Sequence, residues 1–366
     1  MTIFTTSVRN PVRHRKSPIS IIRKNTSYVN GHFYIYSMCA AYFYCGFISI
    51  PPDFSQTSTV KGDSPLLTDI LYSIPADQKS REAIIGGLLL RYPFLTRETI
   101  GESRCARPID LLCIGNRKDA VLLSGGFHGM EWITSILLLK FLDKLCMSIE
   151  SGKGMYGVML SPILNRRGLA MVPCVNPDGA EIQIHGSEAA GAYSSLVERI
   201  SHGDTLHWQA NAAGVDINHN FDAGWEQLHR LEAECGITSP SPTRYGGEYP
   251  ESEPESRALA SICRAGRFSH VLAFHTQGEE IYYGYGSCTD ERMKKQAAAL
   301  SRVSGYRLSE PEGLACGGGF KDWFCQYMKK SGFTIEAGKG TNPLPLTDVE
   351  TIYPQLEELM TLSLIL

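Results

Sequence analysis

A chain of 366 residues, 43% hydrophobic and 20% charged, has the make-up of an ordinary globular protein. Its net charge of -3 argues against a nucleic-acid partner, which calls for a basic stripe. The 11 cysteines are odd in number and contain no C-x-x-C pair, so they fit neither a disulfide framework nor a structural zinc cluster. Reduced, buried thiols and a cytoplasmic setting are the expectation.

In chain order, the first 24 residues carry Arg9, Arg13, Arg15, Lys16, Arg23 and Lys24 and no acidic residue. A mostly apolar, Tyr-rich stretch follows over 33–50, closed by Pro51 and Pro52. A basic flank before an apolar run is the pattern of a signal anchor or membrane helix. Here Tyr34, Tyr36, Tyr42, Tyr44 and Gly46 interrupt the run, and it lacks a clean small-residue cleavage site. The expectation is a disordered extension and linker over 1–63, with membrane association through 33–50, and hence an extracytoplasmic location, as the alternative. The folded domain is expected over 64–366.

Helical patterns at 66–73 and 77–90 open that domain, and Tyr92-Pro93 ends the second. Strands are expected at 109–114, 120–124, 169–175, 270–274 and 332–335. Between and after them, helices are expected at 132–145, 255–265, 292–303, 320–330 and 353–362. Strands alternating with helices imply one α/β domain, a mixed and mostly parallel twisted sheet with helices on both faces. Ligands in such folds sit beyond the carboxyl ends of the strands.

Three strand ends carry chemistry. The run 120–132, AVLLSGGFHGMEW, ends its apolar stretch in Gly125-Gly126 and then offers His128 and Glu131. Their spacing lets both reach one point within a single turn, and imidazole and carboxylate are ligands that zinc prefers. Taken alone, H-x-x-E is a weak signal, because two residue types at one spacing recur by chance as surface polar groups. His275 ends a second apolar strand, and Glu336 a third. A lone strand-end histidine is more often a hydrogen-bonded structural residue, and a lone glutamate a cap. Together the set provides two imidazoles and one carboxylate for a metal, with a further carboxylate to act as general base.

These residues, with Asn176-Pro177-Asp178-Gly179 and Gly214-Val215-Asp216-Ile217-Asn218, resemble the zinc metallocarboxypeptidase family in order and separation. The resemblance extends from about Leu66 to the end of the chain. It implies the metallocarboxypeptidase fold, one Zn²⁺ held by His128, Glu131 and His275, and Glu336 as general base. Histidine and carboxylate also suit other first-row metals, so zinc rests on the resemblance and on availability.

Some positions depart from the digestive members of that family. Asn218 is kept, but His219 stands where they have a carboxylate-clamping arginine, and a neutral imidazole cannot form the bidentate fork. Trp208-Gln209 offers no cation where they place a carbonyl-polarising arginine, and Arg199 is the substitute to test. Leu314 falls near the position of their closing tyrosine, with Tyr282 and Tyr283 as stand-ins. Around Asn218-His219-Asn220-Phe221 and His275-Thr276-Gln277-Gly278-Glu279-Glu280, the chain resembles bacterial γ-D-glutamyl-diamino-acid peptidases. That implies a cell-wall peptide as substrate. Lys321 then falls where the residue after the cut is read, favouring a carboxylate-bearing side chain, and Glu279 is a candidate for the substrate's amine. The alternatives are a general carboxypeptidase or amidase of the same fold, and a weak or inactive peptide-binding homologue.

Overall fold

The computed structural model describes residues 71–266 and 268–366. The extension expected over 1–63, its apolar run and most of the helix expected at 66–73 lie outside the described residues. Among the described residues no helix is long and apolar enough to cross a membrane.

One mixed sheet of eight strands organises the chain. The strands are β1 (Thr96–Glu102), β2 (Pro108–Ile114), β3 (Ala120–Ser124), β4 (Leu169–Val172), β5 (Phe268–His275), β6 (Glu280–Tyr283), β7 (Arg307–Leu308) and β8 (Ser331–Glu336). They lie in the order β1-β2-β4-β3-β5-β8-β6-β7. The central pairings β4-β3, β3-β5 and β5-β8 are parallel, while β1-β2, β2-β4 and β6-β8 are antiparallel.

The helices are α1 (Gln78–Arg91), α2 (Ile133–Ser151), α3 (Leu160–Arg166), α4 (Pro177–His185) and α5 (Ser194–Ser201). After them come α6 (Trp225–Glu234), α7 (Pro254–Arg264), α8 (Glu291–Ser304), α9 (Phe320–Met328) and α10 (Val349–Ser363).

Alternation along the strands divides the core. Val121, Leu123, Leu272, Phe274, Phe333 and Ile335 pack with α1, α2, α8 and α10 on one face. Leu122, Val271 and Ala273 pack with α7 and α9 on the other. A strand covered on both faces has no polar side, which is why β3 and β5 read as nearly continuous apolar runs. Burial rather than local propensity decides the helices. Asp77 caps α1 by accepting from the Ser80 N–H at 2.8 Å, worth about 1 kcal/mol. Ile84, Ile85 and Leu88 on the same helix are buried, each contributing about 1.5–3 kcal/mol.

Two expected elements end early for local reasons. The strand expected over 169–175 stops at Val172, because Pro173 ends the ladder and Asn176 caps α4 through the Gly179 N–H at 2.8 Å. The helix expected at 320–330 stops at Met328, with Lys329 in the left-handed region. β1, β6, β7, α3, α4, α5 and α6 were not anticipated from the sequence. β1, Thr-Arg-Glu-Thr-Ile-Gly-Glu, is a polar edge strand with little apolar signal.

His270 on β5 is fully buried, its Nε2 donating to the Ser363 carbonyl at 2.9 Å. Burial, and then nearby Arg167, pushes this imidazole down to about 4. The unfolded imidazole titrates near ~6.5, so a falling pH protonates the unfolded chain first. Its contribution to stability is present above ~6.5 and is lost as the pH drops towards about 4. Relative to His270→Gln, the wild type should lose about 2–3 kcal/mol more stability between pH ~7.5 and ~4.5 in denaturant titrations. Parallel pH profiles for the two proteins would show that His270 is not the responsible group.

Candidate metal centre and active-site cleft

Parallel pairing of β3, β5 and β8 brings their carboxyl ends to one edge of the sheet. His275 and Glu336 are direct register partners across β5 and β8. From β3 the chain turns through Gly126, whose φ of 60° suits glycine, and then presents His128 and Glu131. Gly129 passes so close to Gly179 and Trp208 that a Cβ there would collide with both carbonyl oxygens.

His128, Glu131 and His275 each offer one ligand atom, all within 4.8 Å of one another. His128 Nδ1 lies 3.0 Å from Glu131 Oε1, and His275 Nδ1 lies 3.0 Å from Glu131 Oε2. The two Nδ1 atoms are 3.3 Å apart. Two imidazole nitrogens facing each other beside a carboxylate form a converging set of lone pairs that a cation satisfies. The residues therefore fit the metal that the sequence implies.

Neighbouring groups set the orientation of these ligands. Asp216 holds His128 Nε2 at 3.2 Å, leaving Nδ1 for a metal. Phe127 stacks on the His275 ring with centroids 4.9 Å apart. Burial opposes charge on His128, but Glu131 and Asp216 outweigh it and raise its proton affinity well above the usual value. Burial lowers that of His275, favouring the neutral form that binds metals. Burial alone would raise Glu131 and Asp216, yet His128 and its neighbours hold both carboxylates below their ordinary range. Glu336 is pushed well above its usual value, first by burial and then by the charge of Glu131.

A cavity of about 730 Å³ opens over the centre, and Asn218, His219, Tyr282, Lys321 and Glu336 line it. Asn218 Oδ1 accepts the Phe320 N–H at 3.1 Å, tying this residue to the start of α9. Glu232 is buried and takes His219 Nδ1 at 2.8 Å, which leaves Nε2 as the nitrogen available to the cavity. The same carboxylate meets His229 Nδ1 at 3.1 Å. Lys321, 6% exposed, donates to the Gly284 carbonyl at 2.8 Å and pairs with Asp322. Burial and the charge of Glu336 raise the Tyr282 hydroxyl, so it stays a donor.

Glu279 is not brought into this group. It pairs with Lys339 and accepts from Gln355 Nε2 at 3.3 Å, away from the residues that line the cavity. Arg199 lies on α5 and does not line the cavity either. Sequence reasoning missed Asp216, Glu232 and Arg244. The Gly-Val-Asp run was a signal for Asp216, whereas nothing local marks Glu232 or Arg244.

Two imidazoles and a carboxylate at the carboxyl edge of an α/β sheet, with a free carboxylate alongside, define a metallohydrolase site. Residues 82–361 match the zinc carboxypeptidase family, and the chain belongs to that family of zinc-dependent peptide hydrolases. It is 38% identical over 266 residues to γ-D-glutamyl-L-diamino acid endopeptidase 1 of Lysinibacillus sphaericus. That match covers 72% of this chain and 66% of the endopeptidase, slightly under two thirds of its length. It is 35% identical over 295 residues to the uncharacterised protein YqgT of Bacillus subtilis, covering 80% of this chain and 76% of that one. The crystal structure of carboxypeptidase A from Helicoverpa armigera shares the fold, with a TM-score of 0.63 at 20% identity over 80% of this chain and 73% of that one.

One zinc per chain is expected by elemental analysis, and His275→Ala or Glu131→Ala should abolish it. Asp216→Asn should weaken zinc about 10–100-fold in competition with a chromophoric chelator. An unchanged affinity would remove Asp216 from the support of the centre.

Proposed function

We propose that this protein hydrolyses the amide bond between γ-D-glutamate and meso-diaminopimelate in cell-wall peptides. The observation that carries the reading is Lys321, a buried ammonium in the wall of the cavity over the candidate centre. Nζ donates to the Gly284 carbonyl and forms an ion pair with Asp322, and an ammonium with three N–H donors keeps capacity for a ligand. Because Asp322 pairs with the buried Lys321 side chain, its burial is compensated. A distal carboxylate on the leaving residue suits that donor. Likeness to a γ-D-glutamyl-L-diamino acid endopeptidase supports the same substrate. So does His219, because a cavity without the arginine fork is poorly equipped to clamp a free peptide C-terminus.

His128, Glu131 and His275 would hold the zinc, which when bound supplies an acidified water and an electrophile for the scissile carbonyl. Glu336 takes the proton of the attacking water at its carboxylate and returns it to the leaving nitrogen. A buried carboxyl held above its ordinary range is suited to both halves of that transfer. Asp216 keeps the His128 ring from rotating, through the bond to Nε2. Tyr282, its hydroxyl bonded to Glu280, borders the substrate cavity from the β6 side.

The test is release of diaminopimelate from L-Ala-γ-D-Glu-meso-diaminopimelate by the zinc-loaded protein. Glu336→Gln should slow it by about 10²–10⁴-fold. Replacing diaminopimelate by lysine in the substrate, which deletes the distal carboxylate, should lower kcat/KM at least about tenfold. Cleavage of hippuryl peptides with no release of diaminopimelate would overturn the substrate and leave a general carboxypeptidase.

A further inference from the structure

Arg244 lines the cavity, and its only hydrogen bond among the described residues is made by its backbone. The other cationic or imidazole groups in the wall already have carboxylate partners: Lys321 has Asp322, His219 has Glu232, and His128 and His275 have Glu131. A guanidinium left open beside a substrate cavity is a receptor for an anion that the chain itself does not provide.

The backbone at Arg244 strengthens the case. Its φ of 65° lies in the left-handed region, where a glycine would sit without strain. Glycine at this position would remove the side chain without straining the backbone. The backbone N–H donates to Asp216 Oδ2 at 2.9 Å, while Asp216 Oδ1 holds His128. Neighbouring Thr243 donates to Gln209 Oε1, and the Gln209 carbonyl accepts from the Gly129 N–H at 3.0 Å. Arg244 is thereby fixed on the flank of His128 and Gln209. Lys321 enters instead from the flank of Asn218 and α9.

We infer that Arg244 is a specificity-determining residue that binds a carboxylate on the acyl side of the scissile bond. The inference rests on the proposed γ-glutamyl substrate, in which Lys321 takes the leaving residue. A glutamate linked through its side chain keeps its α-carboxylate free on the acyl side, and an ordinary α-linked peptide has no anion there. Arg244 and Lys321 would then read two carboxylates on opposite sides of one amide bond. A bidentate guanidinium–carboxylate pair also fixes the orientation of the γ-glutamyl arm, a task for which a lysine is less well shaped.

The experiment compares L-Ala-γ-D-Glu-meso-diaminopimelate with its analogue bearing an α-carboxamide on the glutamyl residue. Wild-type enzyme should favour the acid at least about tenfold in kcat/KM, mainly through KM. Arg244→Gly deletes the side chain while easing the backbone, and should bring the acid-to-amide ratio close to one. Arg244→Lys should retain part of the preference. A wild type that cuts both substrates equally would overturn the inference and leave the proposed function standing. An unchanged ratio in Arg244→Gly, with both substrates slowed alike, would also overturn it and point to the scissile carbonyl or to folding. Failure of the wild type to release diaminopimelate from either substrate would defeat the proposed function and this inference with it.

Discussion

The structure depends on the parallel register of β3, β5 and β8. Parallel strands start and finish together, so every chain that leaves the sheet at that edge leaves close to its neighbours. The ladder that pairs Val271 with Gly332 and Ala273 with Thr334 continues to pair His275 with Glu336. The distance between a metal ligand and the proposed base is therefore set by backbone hydrogen bonds. A slip of one residue would turn either side chain to the opposite face. Tight packing on both faces of these strands, by α2 and α10 on one side and α7 and α9 on the other, makes such a slip costly.

A second layer of organisation rests on buried carboxylates. Asp216 serves His128 through one oxygen and the backbone of Arg244 through the other. Glu232 serves His219, His229 and the Gly246 N–H. Asp178, on the Asn-Pro-Asp-Gly run, accepts from Ser103 and Arg107 and from the Cys105 N–H. Each of these acids is buried and would be costly alone. Each is instead satisfied by two or three donors, so that loops far apart in sequence are clamped together.

The legible part of the sequence was the part whose signal is local. Apolar runs ending in His128, His275 and Glu336 revealed both the central strands and the chemistry, because a doubly covered strand must be apolar and its end must turn. Asn176-Pro177-Asp178-Gly179 entered only through the family resemblance, and it forms the cap and first turn of α4, where proline fits the first helical position. Glu279 and Tyr282 were equal candidates in the sequence. The strand after Gly278 separates them, sending Tyr282 to the cavity and Glu279 to Lys339. Arg244 and Glu232 were illegible because each owes its place to partners elsewhere in the chain, Asp216 for the one and His219 for the other. No spacing rule encodes such contacts.

The division between sheet and loops has a consequence for redesign. His275 and Glu336 hang on the paired central strands, while Arg244 and the 311–319 stretch belong to connections outside the sheet. A change of side chain on those connections leaves the pairing of β5 with β8 untouched. Preference for one peptide over another can thus be altered by substitution at such positions while His275 and Glu336 stay in place.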